Sequence, residues 1–548
     1  MPFLQFIRSK IPTLTLGKFN LVLAIWLACA LNINFLKKAL IYSDLHGLHA
    51  VFWVISLIAV LVSYYFIVLQ LISWRWSKRI IAVLLIIISG CTAYFVNSMG
   101  IMITPEQIQN MMQTDTKEAF ALVSSDLLSW LFLFAVLPSI LFCLIPIKKE
   151  NFGKTLLKKI MSIIAALVVA GSLIYASYID FSSLFRGHRE IRDLISPNNV
   201  FNSGLNYYKK LSYKPLPLVH YGEDAELTVK QKQPKLMVLV VGETARAESF
   251  SLDGYGRNTN PELSKISELI NFKDAHSCGT ATAVSVPCMF SGMPRTSYDS
   301  RLASHREGLL DIAQRAGYKV TWIDNNSGCK GACDRVHQYD IPEQLQKKYC
   351  QADGECDDAI LLASLKQYID SIPKDDVTPQ LVVLHQVGSH GPAYYERTRP
   401  EFEPFKPICN TNTIQNCDHQ TLINTYDNSI VYTDYILSQV IKNLQENQKY
   451  QTGFWYLSDH GESTGENGLY LHGAPYAFAP SQQTHIPMMM WFSGAWDKNN
   501  MGQLSCLQSQ QTKLVGQDNL FPTMLGLLDI KTQVINPNLN MLSYCHSQ

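Results

Sequence analysis

Apolar positions are spread very unevenly along the chain. Five nearly unbroken apolar runs lie near Phe19–Phe35, Val51–Trp74, Ile80–Met99, Leu127–Ile147 and Ile160–Asp180. Each approaches or exceeds the roughly 20 residues a helix needs to cross a bilayer. Buried core helices are the competing reading, but five such runs in the first third of the chain argue for a five-helix transmembrane domain. Four spans after the first also argue against a cleaved signal peptide. Beyond Asp180 the pattern changes. Short apolar runs at Leu236–Gly242, Tyr318–Ile323, Leu381–Leu384, Phe454–Leu457 and Pro487–Phe492 alternate with helical periodicities at Arg306–Ala316, Asp358–Ile372 and Thr425–Asn447. Alternation of this kind predicts an α/β domain with a largely parallel central sheet covered by helices. The expected division is a transmembrane domain over 1–180, an amphipathic connector over 181–233 and a globular domain over 234–548.

Charge orients the spans. With the N-terminus inside, the inner segments carry Arg8, Lys10, Lys18, Arg75, Lys78, Arg79, Lys148, Lys149, Lys154, Lys158 and Lys159, and the outer loops only Lys37, Lys38 and Lys117. That asymmetry, with an odd number of spans, places everything after Asp180 outside. Overall the chain is nearly neutral, with 46 basic and 45 acidic residues. Nothing steers it toward nucleic acid.

Cysteine usage tests the same topology. Cys29, Cys91 and Cys143 lie in the apolar runs, and the other ten of the 13 cysteines follow Asp180. Their spacing points to Cys278–Cys288, Cys329–Cys333, Cys350–Cys356 and Cys409–Cys417, leaving Cys506 and Cys545 to pair. A cysteine-rich zinc site is the rival reading. It is weakened by the lack of a CxxC pair and by the oxidising compartment.

Two segments join the domains. In the outer loop between spans three and four, Asn110, Thr114 and Glu118 recur every four residues and share one helix face. A solvated face and a lipid-headgroup contact are both compatible with that stripe. The connector mixes Arg186, Arg189, Arg192, Lys209, Lys210 and Lys214 with aromatic residues, which suits an anionic membrane surface or a plain amphipathic linker. Pro215 and Pro217 end any helix there.

Ligands of α/β sheets sit at the carboxyl ends of strands. The strand ends here present Gly242-Glu243-Thr244, Ser458-Asp459-His460-Gly461-Glu462 and His385 to Pro392. Glu243 alone reads as a helix-start carboxylate, and Asp459-His460 alone as a hydrogen-bonded turn. Together they make an oxygen and nitrogen ligand set for Zn²⁺ or Mn²⁺. The Ser277–Gly292 segment, pinned by Cys278 and Cys288, offers Thr280, Thr282 and Ser285 as nucleophiles, or only a polar turn capping a helix.

These motifs carry a resemblance. VGETARAESFSLDGYGRNTNP, SCGTATAVSVPCMFS, NNSGCKGACDRV, GSHGPAY and SDHGESTGENGLYLHG are similar to those of the lipid A phosphoethanolamine transferases, which include the mobile colistin-resistance enzymes. The resemblance covers essentially the whole chain. It implies a catalytic fold of the alkaline phosphatase and sulfatase superfamily. It implies Thr282 as nucleophile and Glu243, Thr282, Asp459 and His460 around a zinc ion. His390 and His472 correspond to phosphate contacts, with a second zinc ion in turnover left open. Asn326 and Lys330 correspond to positions holding phosphoethanolamine. Glu462 lies beside the metal pair, and Asn110, Thr114 and Glu118 match the family's headgroup stripe.

The implied activity moves phosphoethanolamine from phosphatidylethanolamine to a lipid A phosphate through a phosphothreonine-type intermediate. Masking that anionic charge lowers attraction of polymyxins. The expected setting is a monomer in a bacterial inner membrane with its catalytic domain in the periplasm. Two rival readings compete with it. A phosphoglycerol transferase of the same fold is disfavoured by the disulfide-pinned threonine loop. A non-catalytic membrane receptor with a disulfide-rich sensor domain leaves the Glu243, Asp459-His460 and His472 constellation without a purpose.

Overall fold

A computed structural model describes residues 11–543 except 44, 115, 213–215, 229–232 and 352–353, and the side chains of Lys117 and Glu118. The chain forms two compact units. One comprises residues 1–108 and 123–208, the other residues 109–122 and 209–548.

The first unit is helical. Gly47–Ile72, Lys78–Met99, Ser125–Leu144 and Phe152–Ala176 are each long and apolar enough to cross a membrane. The expected first span is instead a pair, Leu16–Ala30 and Ile33–Ser43, bent by 60°. The bend has a polar cause. Asn32 donates to the carbonyls of Leu27 (2.8 Å) and Ser196 (2.9 Å) and accepts the Ser196 amide at 2.9 Å. A buried asparagine bonded this way withdraws from the helix ladder and breaks it. Lys159 is buried, but its ammonium donates to the carbonyls of Gln70 and Ser73 at 2.6 Å each.

The second unit is built on a seven-stranded sheet. In chain order the strands are β1 (Lys235–Gly242), β2 (Ile270–Phe272), β3 (Lys319–Asp324), β4 (His337–Gln338), β5 (Gln380–His385), β6 (Gln451–Ser458) and β7 (Met488–Phe492). The spatial order is β2-β7-β6-β1-β5-β3-β4. β6, β1, β5, β3 and β4 are mutually parallel, whereas β7 runs antiparallel to both β6 and β2. The sheet is therefore mixed, and the expectation of a largely parallel one is corrected at this edge. The β7 run is as apolar as its neighbours, because it is buried on both faces in either orientation.

All eight residues of β1 are buried. Side chains alternate across the sheet. Met237, Leu239, Val241, Leu381, Val383, Trp455 and Leu457 face one core, with helices Thr282–Ser291, Leu309–Arg315 and Leu520–Leu527 packed on it. Helices Ala359–Ser371 and His419–Gln445 pack on the sheet as well, against β3 and β6. Burying a large apolar side chain stabilises by about 1.5–3 kcal/mol, so this double cover is what fixes the strand ends.

Candidate functional site

The site forms where β6, β1, β5 and β3 end side by side. β1 terminates at Gly242, where an added Cβ would lie 2.6 Å from the Tyr456 ring, so only glycine admits this approach. Glu243 follows at once. Asp459 and His460 follow β6, the neighbouring strand. Thr282 is the first residue of helix Thr282–Ser291 and is 6% exposed.

These four side chains converge. The Thr282 hydroxyl donates toward Glu243 Oε2 at 3.2 Å and lies 3.3 Å from His460 Nε2. His460 Nε2 lies 3.2 Å from Asp459 Oδ2 and 3.5 Å from Glu243 Oε1. One ligand atom from each of Glu243, Asp459 and His460 lies within 4.8 Å of the others, and all three residues are buried.

The hydrogen bonds around the cluster leave a particular set of lone pairs pointing inward. Asp459 Oδ1 accepts the amides of Thr244 (3.1 Å) and His460 (2.7 Å), while Oδ2 is buried with no hydrogen-bond partner. His460 Nδ1 lies 2.9 Å from the Gly461 carbonyl, which fixes the proton there and leaves the Nε2 lone pair facing the carboxylates. Burial, and then the nearby His472, hold the imidazole neutral by lowering it to about 3. Burial opposes the Glu243 charge, but His460, His390 and His472, protonated only at the low pH where this group titrates, outweigh it and lower that carboxyl to about 2. Burial and then the Glu243 charge push Asp459 well above the carboxylate range. Two buried carboxylates this close ionise together only when a cation lies between them. An orphan carboxylate oxygen, a neutral imidazole and a second carboxylate fit a divalent metal of the zinc type.

The remaining predicted residues fall into two groups. The His472 ring lies tilted beside His460 with ring centroids 4.3 Å apart, and His390 meets His472 edge-on at 5.5 Å. Glu462 is fully buried, holds His472 Nδ1 at 2.9 Å and accepts the Tyr394 hydroxyl. Asn326 donates to Glu243 Oε2 at 2.8 Å and to the Gln386 carbonyl at 2.7 Å. It thus touches the Glu243, Asp459 and His460 cluster directly, whereas the resemblance implies a place for it only at the phosphoethanolamine group. Lys330 bonds Ser327 O and Oγ at 2.8 Å and the Gln113 carbonyl at 3.3 Å, without contacting the cluster. Thr114 bonds the Asn110 carbonyl at 2.8 Å, a helix-local contact. The side chain of Glu118 lies outside the described residues.

Among the described residues, four disulfides join Cys278–Cys288, Cys329–Cys333, Cys350–Cys356 and Cys409–Cys417, the pairs expected from spacing. The expected Cys506–Cys545 pair involves Cys545, outside the described residues. Cys29, Cys91 and Cys143 are free. Three residues beside the site escaped the sequence reading: Tyr394, Asn325 and Asp358. Asn325 and Tyr394 lie inside the NNSGCKGACDRV and GSHGPAY motifs, which could have singled them out, whereas Asp358 lies in no such motif and only the fold brings it to the strand ends.

Comparison with known proteins agrees with this geometry. The family described as Sulfatase matches residues 235–530, and that described as Phosphoethanolamine transferase EptA/EptB matches residues 61–211. The chain is 42% identical over 542 residues to the phosphoethanolamine transferase EptA of Escherichia coli strain K12, covering 98% of each protein. It is 35% identical over 470 residues to the phosphatidylethanolamine transferase Mcr-1 of Escherichia coli, covering 84% of this chain and 85% of that protein. Its structure is similar to the integral membrane lipooligosaccharide phosphoethanolamine transferase A of Neisseria meningitidis, with a TM-score of 0.92 and 34% identity over 97% of this chain and 99% of that one. The multi-pass helical unit, the sulfatase-like domain and the buried ligand cluster have one common explanation: the chain belongs to the lipid A phosphoethanolamine transferase family, within the alkaline phosphatase and sulfatase superfamily.

Proposed function

We propose that this chain transfers phosphoethanolamine from phosphatidylethanolamine to a phosphate of lipid A, with Thr282 as a covalent carrier, and thereby confers polymyxin resistance. The observation that carries the reading is the Thr282 hydroxyl held within 3.2–3.3 Å of Glu243 and His460 at a helix N-terminus. Relatives named as phosphoethanolamine and phosphatidylethanolamine transferases support the transferred group, and the similar structure named as a lipooligosaccharide phosphoethanolamine transferase supports the acceptor class. The setting is a bacterial inner membrane, with the bent helix pair as the first of five spans and residues 234–548 as a periplasmic catalytic domain. Residues 181–233 form the connector.

Glu243, Asp459, His460 and Thr282 would hold the zinc ion. When bound, zinc supplies positive charge that favours a deprotonated threonine and the charge developing on phosphate oxygens. The chain's own residues do the rest. The Thr282 oxygen attacks phosphorus, the bond from phosphorus to the diacylglycerol oxygen breaks, and diacylglycerol leaves with the proton that threonine gave up. A lipid A phosphate oxygen then attacks the same phosphorus, the bond from phosphorus to the Thr282 oxygen breaks, and that oxygen takes up the proton the attacking phosphate gives up, restoring the hydroxyl. Phosphoryl transfer depends mainly on positioning and charge stabilisation. The helix N-terminus under Thr282 favours phosphate oxygens. His390 and His472 line the same side, with His472 oriented by Glu462, and Asn326 keeps Glu243 aimed.

The test is Thr282→Ala in the purified full chain with phosphatidylethanolamine in mixed micelles. Intact-mass analysis is expected to show a phosphoethanolamine adduct on the wild type and none on the variant, with the variant's melting temperature preserved. A fully active Thr282→Ala enzyme sinks the mechanism.

A further inference from the structure

One buried carboxylate lies just behind the site with no role in the chemistry above. Asp358 immediately precedes helix Ala359–Ser371 and is 5% exposed. An aspartate there ordinarily caps its own helix. Here the neighbouring Asp357 takes that task, accepting the Ala359 amide at 2.8 Å, and the Asp358 side chain turns away from the helix. Asp358 Oδ1 accepts from Asn325 Nδ2 at 2.8 Å and from the Val387 amide at 3.0 Å, and Oδ2 accepts the Gly388 amide at 2.9 Å. Gln386 Nε2 donates to the same Oδ2 at 3.4 Å.

All of these partners are donors, and they come from two loops, one after β3 and one after β5. Those loops form the wall behind Glu243. Asn326 bonds Glu243 Oε2 and the Gln386 carbonyl. The Ser389 amide donates to the Glu243 carbonyl at 3.1 Å, and the His390 amide closes a turn on the Val387 carbonyl at 3.2 Å. A dehydrated charge costs several kcal/mol unless its hydrogen bonds are complete, so an aspartate here is an expensive way to fill space. Its bonds are spent on joining the two loops.

We propose that Asp358 is a positioning residue for the first half-reaction: by locking the 325–326 and 386–390 loops together, it holds Asn326, Glu243 and His390 in register with the Thr282 hydroxyl. The inference rests on Thr282 being the nucleophile. A residue acting this way governs the rate of the bound complex more than donor affinity.

The experiment measures Thr282 adduct formation in the full chain by quenched-flow intact mass, over a range of phosphatidylethanolamine concentrations in mixed micelles. Asp358→Asn keeps the shape and turns an acceptor into a donor facing donors. The maximal rate is expected to fall about 10- to 100-fold, with KM within about threefold and zinc content unchanged. Asn325→Ala cuts the same link from the other side. The double variant is expected to lose about what the worse single variant loses, because coupled residues are not additive. An Asp358→Asn rate within about twofold of wild type, or losses that multiply in the double variant, overturns the proposal. If Asp358→Asn does not fold, Asn325→Ala decides alone: a slowed maximal rate with unchanged KM supports the lock, and a wild-type rate overturns it. Absence of any adduct on the wild type instead overturns the Thr282 reading, and is seen before any variant is compared.

Discussion

Gly388→Ala is the sharpest single test of how tightly the site is assembled. Gly388 has φ of +52°, and a Cβ built there lies 2.5 Å from the Glu243 carbonyl oxygen, 3.1 Å from its nitrogen and 3.2 Å from its Cβ. Alanine in that backbone conformation costs about 1 kcal/mol relative to glycine. The larger effect is steric. Recovering an ordinary contact of 3.4 Å requires the loop and Glu243 to part by about 0.9 Å. Overpacking of this kind costs about 1–3 kcal/mol more. Both partners are backbone, so no side chain can swing aside, and the displacement falls on a residue 3.2 Å from the Thr282 hydroxyl. A misplacement near 1 Å in an active site slows reaction by about 10²-fold.

The expected outcome is therefore adduct formation slowed about 10- to 100-fold and a melting temperature lowered by several degrees, read by single-turnover mass analysis and thermal denaturation. Gly502→Ala is the control. It has φ of +89° with no atom within 4 Å of the added Cβ, so it carries backbone strain without the clash. Its rate should stay at wild type. A Gly388→Ala enzyme with wild-type rate and stability would refute the claim that this loop backbone rests on Glu243.

Other outcomes follow from the same geometry. Chelation is expected to abolish adduct formation and lower the melting temperature, and zinc to restore both, by about 4 kcal/mol when present at 1,000 times its Kd; full activity in protein shown to be metal-free by elemental analysis would count against it. Asp434 accepts the amides of Glu262 (2.8 Å) and Leu263 (3.0 Å), and burial raises its carboxyl from 3.8 to about 7. Because the folded value lies above the unfolded one, its contribution is full below about pH 4 and is lost as pH rises through about 7. Asp434→Asn removes that ionisation, so the variant should gain on the wild type by up to about 4 kcal/mol between pH 4 and pH 7.5. Melting temperatures across that range that run parallel for the two proteins would contradict it.

Much of this was readable before any coordinates, and particular residues show why. The Leu236–Gly242 run fixed a buried central strand, and the motif after it placed Glu243 at a strand end. The close cysteine pairs were legible because each partner lies within ten residues of the other. What was not legible depended on distant partners. The break at Asn32 is created by Ser196, 164 residues away. The direction of β7 depends on how the chain returns to the sheet, and an apolar run carries no arrow. Asp358 reads as an ordinary helix cap, since the amides it serves lie about 30 residues on.

The disulfides divide the catalytic domain into stapled loops and an unstapled sheet. None of the four ties one sheet strand to another. Each staples a single excursion of the chain, with partners only 4 to 10 residues apart. One encloses Thr282, one encloses Lys330, and one ends two residues before Asp358. These four closures therefore cross-link loops rather than the apolar sheet, and what they restrict is the freedom of the segments around Thr282, Lys330 and Asp358. Reduction of these four would therefore be felt first in the loops that carry the candidate site and last in the sheet beneath them.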